Sequence, residues 1–227
     1  MRLVCISDTH GRHNQIRVPE GDVLIHAGDF TNNGKVDQVA DFAEWLDKQP
    51  HAHKIAIPGN HDFLCERAPD IAKGIFEQTR IRYLVDQTAV IDGVIFYGSP
   101  WQPRFCDWAF NLDRGAALRA KWDLIPNGVN VLITHGPPQK FLDRTAGGEH
   151  VGCEDLARVI SKRLVDLSMS VFGHIHEGYG YYRNDGPLFV NSSTCSLKYQ
   201  PINQPIVVDL VDGIATVVVT GPVVANG

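Results

Sequence analysis

The 227-residue chain suits one domain, and the expected organisation is a single unit over residues 1–227. Its 44% hydrophobic content can build a substantial core, and no apolar run approaches the roughly 18 residues of a membrane span. A formal charge of −5 without any cluster of Lys or Arg argues against a partner of long nucleic acid and for a small substrate.

The chain opens on an apolar stretch that turns polar at Ser7-Asp8, too short for a signal-peptide core, so residues 2–7 read as a first strand and the expectation is a cytoplasmic protein. A second strand is expected over 22–26. From 34 to 48 the apolar positions Val36, Val39, Ala43 and Leu46 recur at helical spacing, and Pro50 closes the segment. A third strand follows at 54–58. Residues 89–91 and 94–98 flank Asp92-Gly93, a tight-turn signal. A fourth strand is expected at 129–134 and a helix over 152–167, with Leu156, Ile160, Leu164 and Leu167 on one stripe. A fifth strand covers 170–172, and a last hairpin pairs Ile206–Val211 with Ile214–Val219 around Asp212-Gly213. Alternating elements at the start and antiparallel ones at the end give an α/β protein with a mixed pair of sheets and helices outside.

The five cysteines are scattered and never form a Cys-x-x-Cys pair, against both a disulfide framework and a thiolate zinc site. None has an arginine six residues later, which the phosphate loop of a cysteine-nucleophile phosphatase requires.

Residues that ligate metals cluster immediately after five expected strands. They are Asp8-Thr9-His10-Gly11, Gly28-Asp29, Gly59-Asn60-His61-Asp62, His135-Gly136 and Gly173-His174-Ile175-His176. Each has a bland explanation alone, since Asp caps turns and helices and Asn suits a left-handed turn. Five coincidences at five strand ends are harder to accept, because carboxyl ends of strands are where α/β proteins gather ligands. Two carboxylates, one amide and four imidazoles make an oxygen–nitrogen donor set without sulfur, suited to Mn, Fe, Zn or Co. Seven donors exceed one tetrahedral site and fit two metals with a shared carboxylate, an arrangement that clamps a phosphoryl group. His61 stands beside this set, where it can bind a phosphate oxygen or protonate a leaving alkoxide, with Asp62 placed to orient its ring.

These five motifs, in this order, resemble the calcineurin-like metallophosphoesterases. Gly98-Ser99-Pro100-Trp101, Thr134-His135-Gly136-Pro137-Pro138, Val151-Gly152-Cys153, the run from Ile175 to Gly180 and Asn191-Ser192-Ser193-Thr194-Cys195 are similar to one subgroup. It is the metallophosphoesterase-domain-containing proteins, which include animal brain proteins with class III phosphodiesterase activity. The resemblance implies a four-layer α/β/β/α sandwich with the metal site at the C-terminal strand ends. It implies one metal held by Asp8, His10, Asp29 and His176, and another by Asp29, Asn60, His135 and His174. Asp29 would bridge the two, and His61 would be a catalytic histidine outside the ligand set. The implied reaction is in-line attack on phosphorus by a metal-bridging hydroxide, with two transition-metal ions as cofactors, Mn²⁺ first and Fe, Zn or Co otherwise. The leading substrate is a small phosphodiester such as a cyclic nucleotide; a nuclease, a phosphomonoesterase and a non-catalytic scaffold are the alternatives.

Two departures matter. No arginine follows Gly28-Asp29 in Phe30-Thr31-Asn32-Asn33-Gly34, unlike the protein phosphatases of this fold, so phosphoprotein substrates are not expected. Some animal members of the subgroup carry glycine where this chain has His174, so the ligand set here is complete. Trp101 and Arg104 admit two readings, a substrate wall beside Asn60 and His61 or a small satellite core; Trp108 reads as core. The loop 139–151 reads as a surface connection that can border the cleft.

Overall fold

The computed structural model describes residues 1–183 and 185–219. In chain order it runs β1 (Arg2–Ile6), β2 (Val23–Ala27), α1 (Val36–Asp47), β3 (His53–Ile57), α2 (Phe63–Arg67), α3 (Pro69–Phe76) and β4 (Ile81–Tyr83). A hairpin of β5 (Gln87–Ile91) and β6 (Val94–Ser99) follows, then the two-residue strands β7 (Gln102–Pro103) and β8 (Asn111–Leu112) and helix α4 (Ala116–Trp122). The chain continues through β9 (Val131–Thr134), α5 (Glu154–Lys162), β10 (Met169–Phe172), β11 (Gly180–Tyr182), β12 (Leu188–Asn191), β13 (Ile206–Val211) and β14 (Ile214–Val219).

Two six-stranded sheets form, in the orders β14-β13-β1-β2-β3-β4 and β11-β12-β10-β9-β6-β5. Strands β1 to β4 are parallel and β13 joins β1 antiparallel; β12, β10, β9 and β6 are parallel, with β11 and β5 antiparallel at the edges. Both sheets are therefore mixed. The period-2 alternation of each strand decides what lies on either side. Leu3 and Cys5 of β1 face Val131, Val171 and Val190 of the other sheet in a core between the sheets. Val4 and Ile6 turn the opposite way, onto Val39, Phe42 and Leu46 of α1. In the second sheet Leu132 points outward to Leu118 and Trp122 of α4 and Leu156 and Ile160 of α5. The layers are helix, sheet, sheet, helix, as the resemblance implied.

Both Asp-Gly turns are as read: Asp92 and Gly93, and Asp212 and Gly213, all have positive φ, the backbone that a two-residue hairpin needs. Two expectations change. Val36 sits in the first turn of α1 and is 50% exposed, while the buried face is completed by Phe42, stacked 4.2 Å from Phe30. The second expected helix stops at Lys162, where Arg163 leaves helical geometry with φ of −123° while its guanidinium binds the Trp122 and Ile125 carbonyls. Leu164 and Leu167 are buried, but from the segment beyond the helix. Among the described residues no helix is long and apolar enough to cross a membrane.

Candidate metal centre

The carboxyl ends of β1, β2, β3, β9 and β10 meet at one edge of the sandwich. Backbone bonds from Asp8 N to the Gly28 carbonyl, His10 N to the Asp29 carbonyl and Gly173 N to the His135 carbonyl lock the strand-end loops together. Asp8, His10, Asp29 and His174 all have left-handed backbones, with φ of 51°, 44°, 57° and 67°. Such conformations cost roughly 1–3 kcal/mol each for a non-glycine residue, and they concentrate at functional sites. The loops bend sharply enough to aim these side chains inward.

Among the described residues, three groups of donors lie with their ligand atoms within 4.8 Å of one another: Asp8 with His10 and His176, Asp8 with Asp29 and His135, and His10 with Asp29 and His61. Asp8, His10 and Asp29 each belong to two of them. His176 Nε2 is 3.3 Å from Asp8 Oδ1 and His135 Nε2 is 3.4 Å from Asp29 Oδ2. Asn60 joins through Oδ1, 2.9 Å from His135 Nε2. His174 falls outside all three groups; its ring lies 5.1 Å from that of His135. His61 falls inside one, nearer the carboxylates than its expected place beside the donor set suggested.

The electrostatics are those of a site built for positive charge. Burial pushes the Asp8 and Asp29 carboxyls up, but surrounding imidazoles overcome it, His176 at Asp8 and His135 at Asp29, and hold both well below the usual carboxylate range. Burial lowers His135 and His176, yet Asp29 and Asp8 respectively draw each up to about 9. His10 and His174 lack so close a carboxylate; burial leads in bringing them down to about 4 and about 3.

The donors fit a metal in three further respects. His135 Nδ1 donates to the Ala27 carbonyl and His176 Nδ1 to the Ser196 carbonyl, both at 3.0 Å, so each neutral ring presents its Nε2 lone pair to the centre. At His135 that Nε2 faces the oxygens of Asn60 and Asp29, a contact that needs either a proton or a metal ion between them. Buried His10 Nδ1 has no hydrogen-bond partner, while its Nε2 lies 3.4 Å from that of His176. Glycine is required around these groups by space alone. A Cβ on Gly173 would strike Asp8 Oδ2, and one on Gly59 would strike Asp29 Oδ1.

A cavity of about 340 Å³ opens above the donors, lined by His10, Asp29, Asn60, His61, His174 and His176 together with Arg104, Phe105, Trp108, Arg114 and Tyr199. Of the tentative substrate residues, Arg104 lines it with its guanidinium paired to Asp113 at 2.8 Å. Trp101 does not. Its Nε1 donates to Asp86, Lys121 Nζ sits 4.1 Å from its ring centre, and the indole packs on Phe110. Trp108, read as core, lies 4.6 Å from the His61 ring at the cavity wall. Asp62 also departs from its expected place. Its carboxylate turns away from the His61 ring and accepts from Gly59 N, Phe30 N, Thr31 N and Thr31 Oγ1. Burial foremost, then Asp29, raises it to about 7.

Sequence reasoning passed over several supporting groups. Ser7 Oγ and Ser193 Oγ both donate to Asp8 Oδ2, at 2.6 and 2.9 Å, leaving Oδ1 towards His176. Ser193 lies in a segment quoted for its likeness, but no spacing tied it to Asp8. Tyr199 carried no signal at all.

A family profile described as calcineurin-like phosphoesterase matches residues 1–178. A human protein, metallophosphoesterase domain-containing protein 1, is 45% identical over 231 residues, covering 92% of this chain and 71% of its own. More distantly, a Nostoc protein named 3′,5′-cyclic-nucleotide phosphodiesterase is 24% identical over 189 residues, 78% of this chain and 64% of its own. A solved structure superposes with a TM-score of 0.69 at 17% identity, covering 95% of this chain and 97% of its own, a similarity of fold.

Proposed function

The chain belongs to the calcineurin-like phosphoesterase family, and on that premise we propose that it hydrolyses small phosphodiesters, cyclic nucleotides among them, at a pair of transition-metal ions. Asp8, His10, Asp29 and His176 would hold one ion and Asp29, Asn60, His135 and His174 the other, with Mn²⁺ the first choice and Fe, Zn or Co otherwise. The observation that carries this reading is the overlap of the three donor groups: Asp29 joins Asp8 and His135 in one and His10 and His61 in another, and Asp8 and His10 recur with His176 in the third. Metal ions held there would supply Lewis acidity to a phosphoryl group and lower the pKa of water.

The chain's own residues do the rest. Asn32 accepts from His61 Nδ1, which leaves Nε2 free to bind a phosphoryl oxygen or protonate a leaving alkoxide. Phe105, Trp108 and Tyr199 give the cavity an apolar wall for the organic part of a substrate. Both cavity arginines are engaged by carboxylates, Arg104 by Asp113 and Arg114 by Glu154. With no spare guanidinium there, the single charge of a diester is easier to accommodate than the double charge of a monoester. The net charge of −5 disfavours long nucleic acid, and the name of the Nostoc relative points towards cyclic nucleotides.

The test is a panel of cyclic nucleotides, linear diesters, monoesters and oligonucleotides, assayed on chelator-treated protein with and without added Mn²⁺. Diester hydrolysis that appears only with metal is expected. Full turnover after verified metal removal would refute the metal-dependent reading, and a monoester preference would refute the diester one.

A further inference from the structure

We propose that residues 193–199, which supply no metal donor, position the three donors that belong to one metal site alone, Asp8, His10 and His176, and none of the other site's, and so set the affinity of the first site separately. The inference rests on the two-site reading above. Ser193 Oγ donates to Asp8 Oδ2 at 2.9 Å. The Ser196 carbonyl accepts His176 Nδ1 at 3.0 Å. The Tyr199 ring meets His10 edge-on, 4.6 Å between centres at 76°. Asp8, His10 and His176 are together one of the three donor groups.

The segment is itself braced. Thr194 N donates to the Ser7 carbonyl at 2.9 Å, and Ser7 and Ser193 form a parallel bridge between the extensions of β1 and β12. Tyr199 has φ of 55°, an unfavourable backbone for an aromatic residue. Bonds from Tyr199 N to the Ser196 carbonyl and from Ser196 N to the Gln200 carbonyl, both 2.8 Å, close the turn that enforces it. The other donors are held from elsewhere: His135 by the Ala27 carbonyl and Asp29 by His61 N. Groups that orient ligands typically change metal affinity by about 10–100-fold when lost. Tyr199 also lies 6.1 Å from His61, so turnover alone would not separate the two roles; metal binding does.

The experiment is calorimetric titration of metal-free protein with Mn²⁺ for wild type, Ser193→Ala, Tyr199→Ala and Tyr199→Phe. Thermal melts of the metal-free forms check folding, and Tyr199→Leu replaces the alanine variant if that one unfolds. In Ser193→Ala and Tyr199→Ala one binding step should weaken about tenfold or more and the other stay within about twofold. Tyr199→Phe keeps the ring and should restore the wild-type pattern. Two wild-type steps that fall equally, or do not move, overturn the proposal. A single wild-type step would remove the two-site reading instead, and the positioning role then stands if that step weakens in both variants and falls if it does not.

Discussion

His61 Nδ1 donates to the Asn32 carbonyl at 2.8 Å, so the backbone just beyond Asp29 sets the angle of this ring. Its other nitrogen is left for the cavity. His61→Ala should keep near-normal metal content and lose roughly 10²–10⁴-fold in turnover, the scale of an acid–base group. The loss should be smaller for diesters with good leaving groups, which need less protonation. Equal losses across a leaving-group series would remove the acid role and leave phosphate positioning.

Asp62, the next residue, is expected to matter for stability. Its carboxylate accepts four bonds from the buried loops after β2 and β3. Asp62→Ala leaves those buried neutral donors unpaired, a loss of at least about 1–3 kcal/mol in urea unfolding. Unchanged stability with a 10²-fold drop in turnover would restore a catalytic role.

Asp29 and Asp8 should separate under mutation. Asp29→Ala is expected to weaken both metals, whereas Asp8→Ala should chiefly empty the site shared with His10 and His176. Metal analysis after gel filtration distinguishes them. Two tightly held metals in Asp29→Ala would contradict the shared carboxylate.

His174→Gly isolates the imidazole from the backbone. The His174 N–H donates to both Asp8 oxygens, at 3.1 and 3.0 Å, and its φ of 67° suits glycine, so only the ring is lost. Affinity at the site of Asn60 and His135 should fall by at least about tenfold, with activity partly recovered at high metal. Titrations identical to wild type would remove His174 from the donor set.

Metal stabilisation should grow with pH. His135 and His176, each drawn up to about 9, exceed the unfolded value of about 6.5. Their contribution to the metal-free protein is fully present below pH 6.5 and is lost as pH rises through 9. Depressed Asp8 and Asp29 act oppositely, stabilising above about pH 3.9 and losing that contribution as pH falls. Metal binding needs neutral imidazoles, so affinity should climb over the interval in which the protons leave. The Mn²⁺-induced rise in Tm should therefore be larger at pH 8.5 than at pH 6.5. A shift independent of pH would mean that neither proton competes with the metal.

The sequence by itself determined the kinds of donor, their place after five strands, the alternation of β1 that builds a layer on either side, and the Asp-Gly hairpins. All of these are consequences of local backbone geometry, which periodicity and turn chemistry report directly. The tertiary structure alone decided which side chains meet. Trp101 and Trp108 are close in sequence, yet one braces Asp86 and the other walls the cavity. Asp62 and His61 are adjacent, yet they find partners in different neighbours. Ser193 reaches Asp8 across 185 residues and the His174 N–H reaches it across 166. Such contacts depend on how two sheets stack and where their strand ends align, and no spacing along the chain encodes that distance.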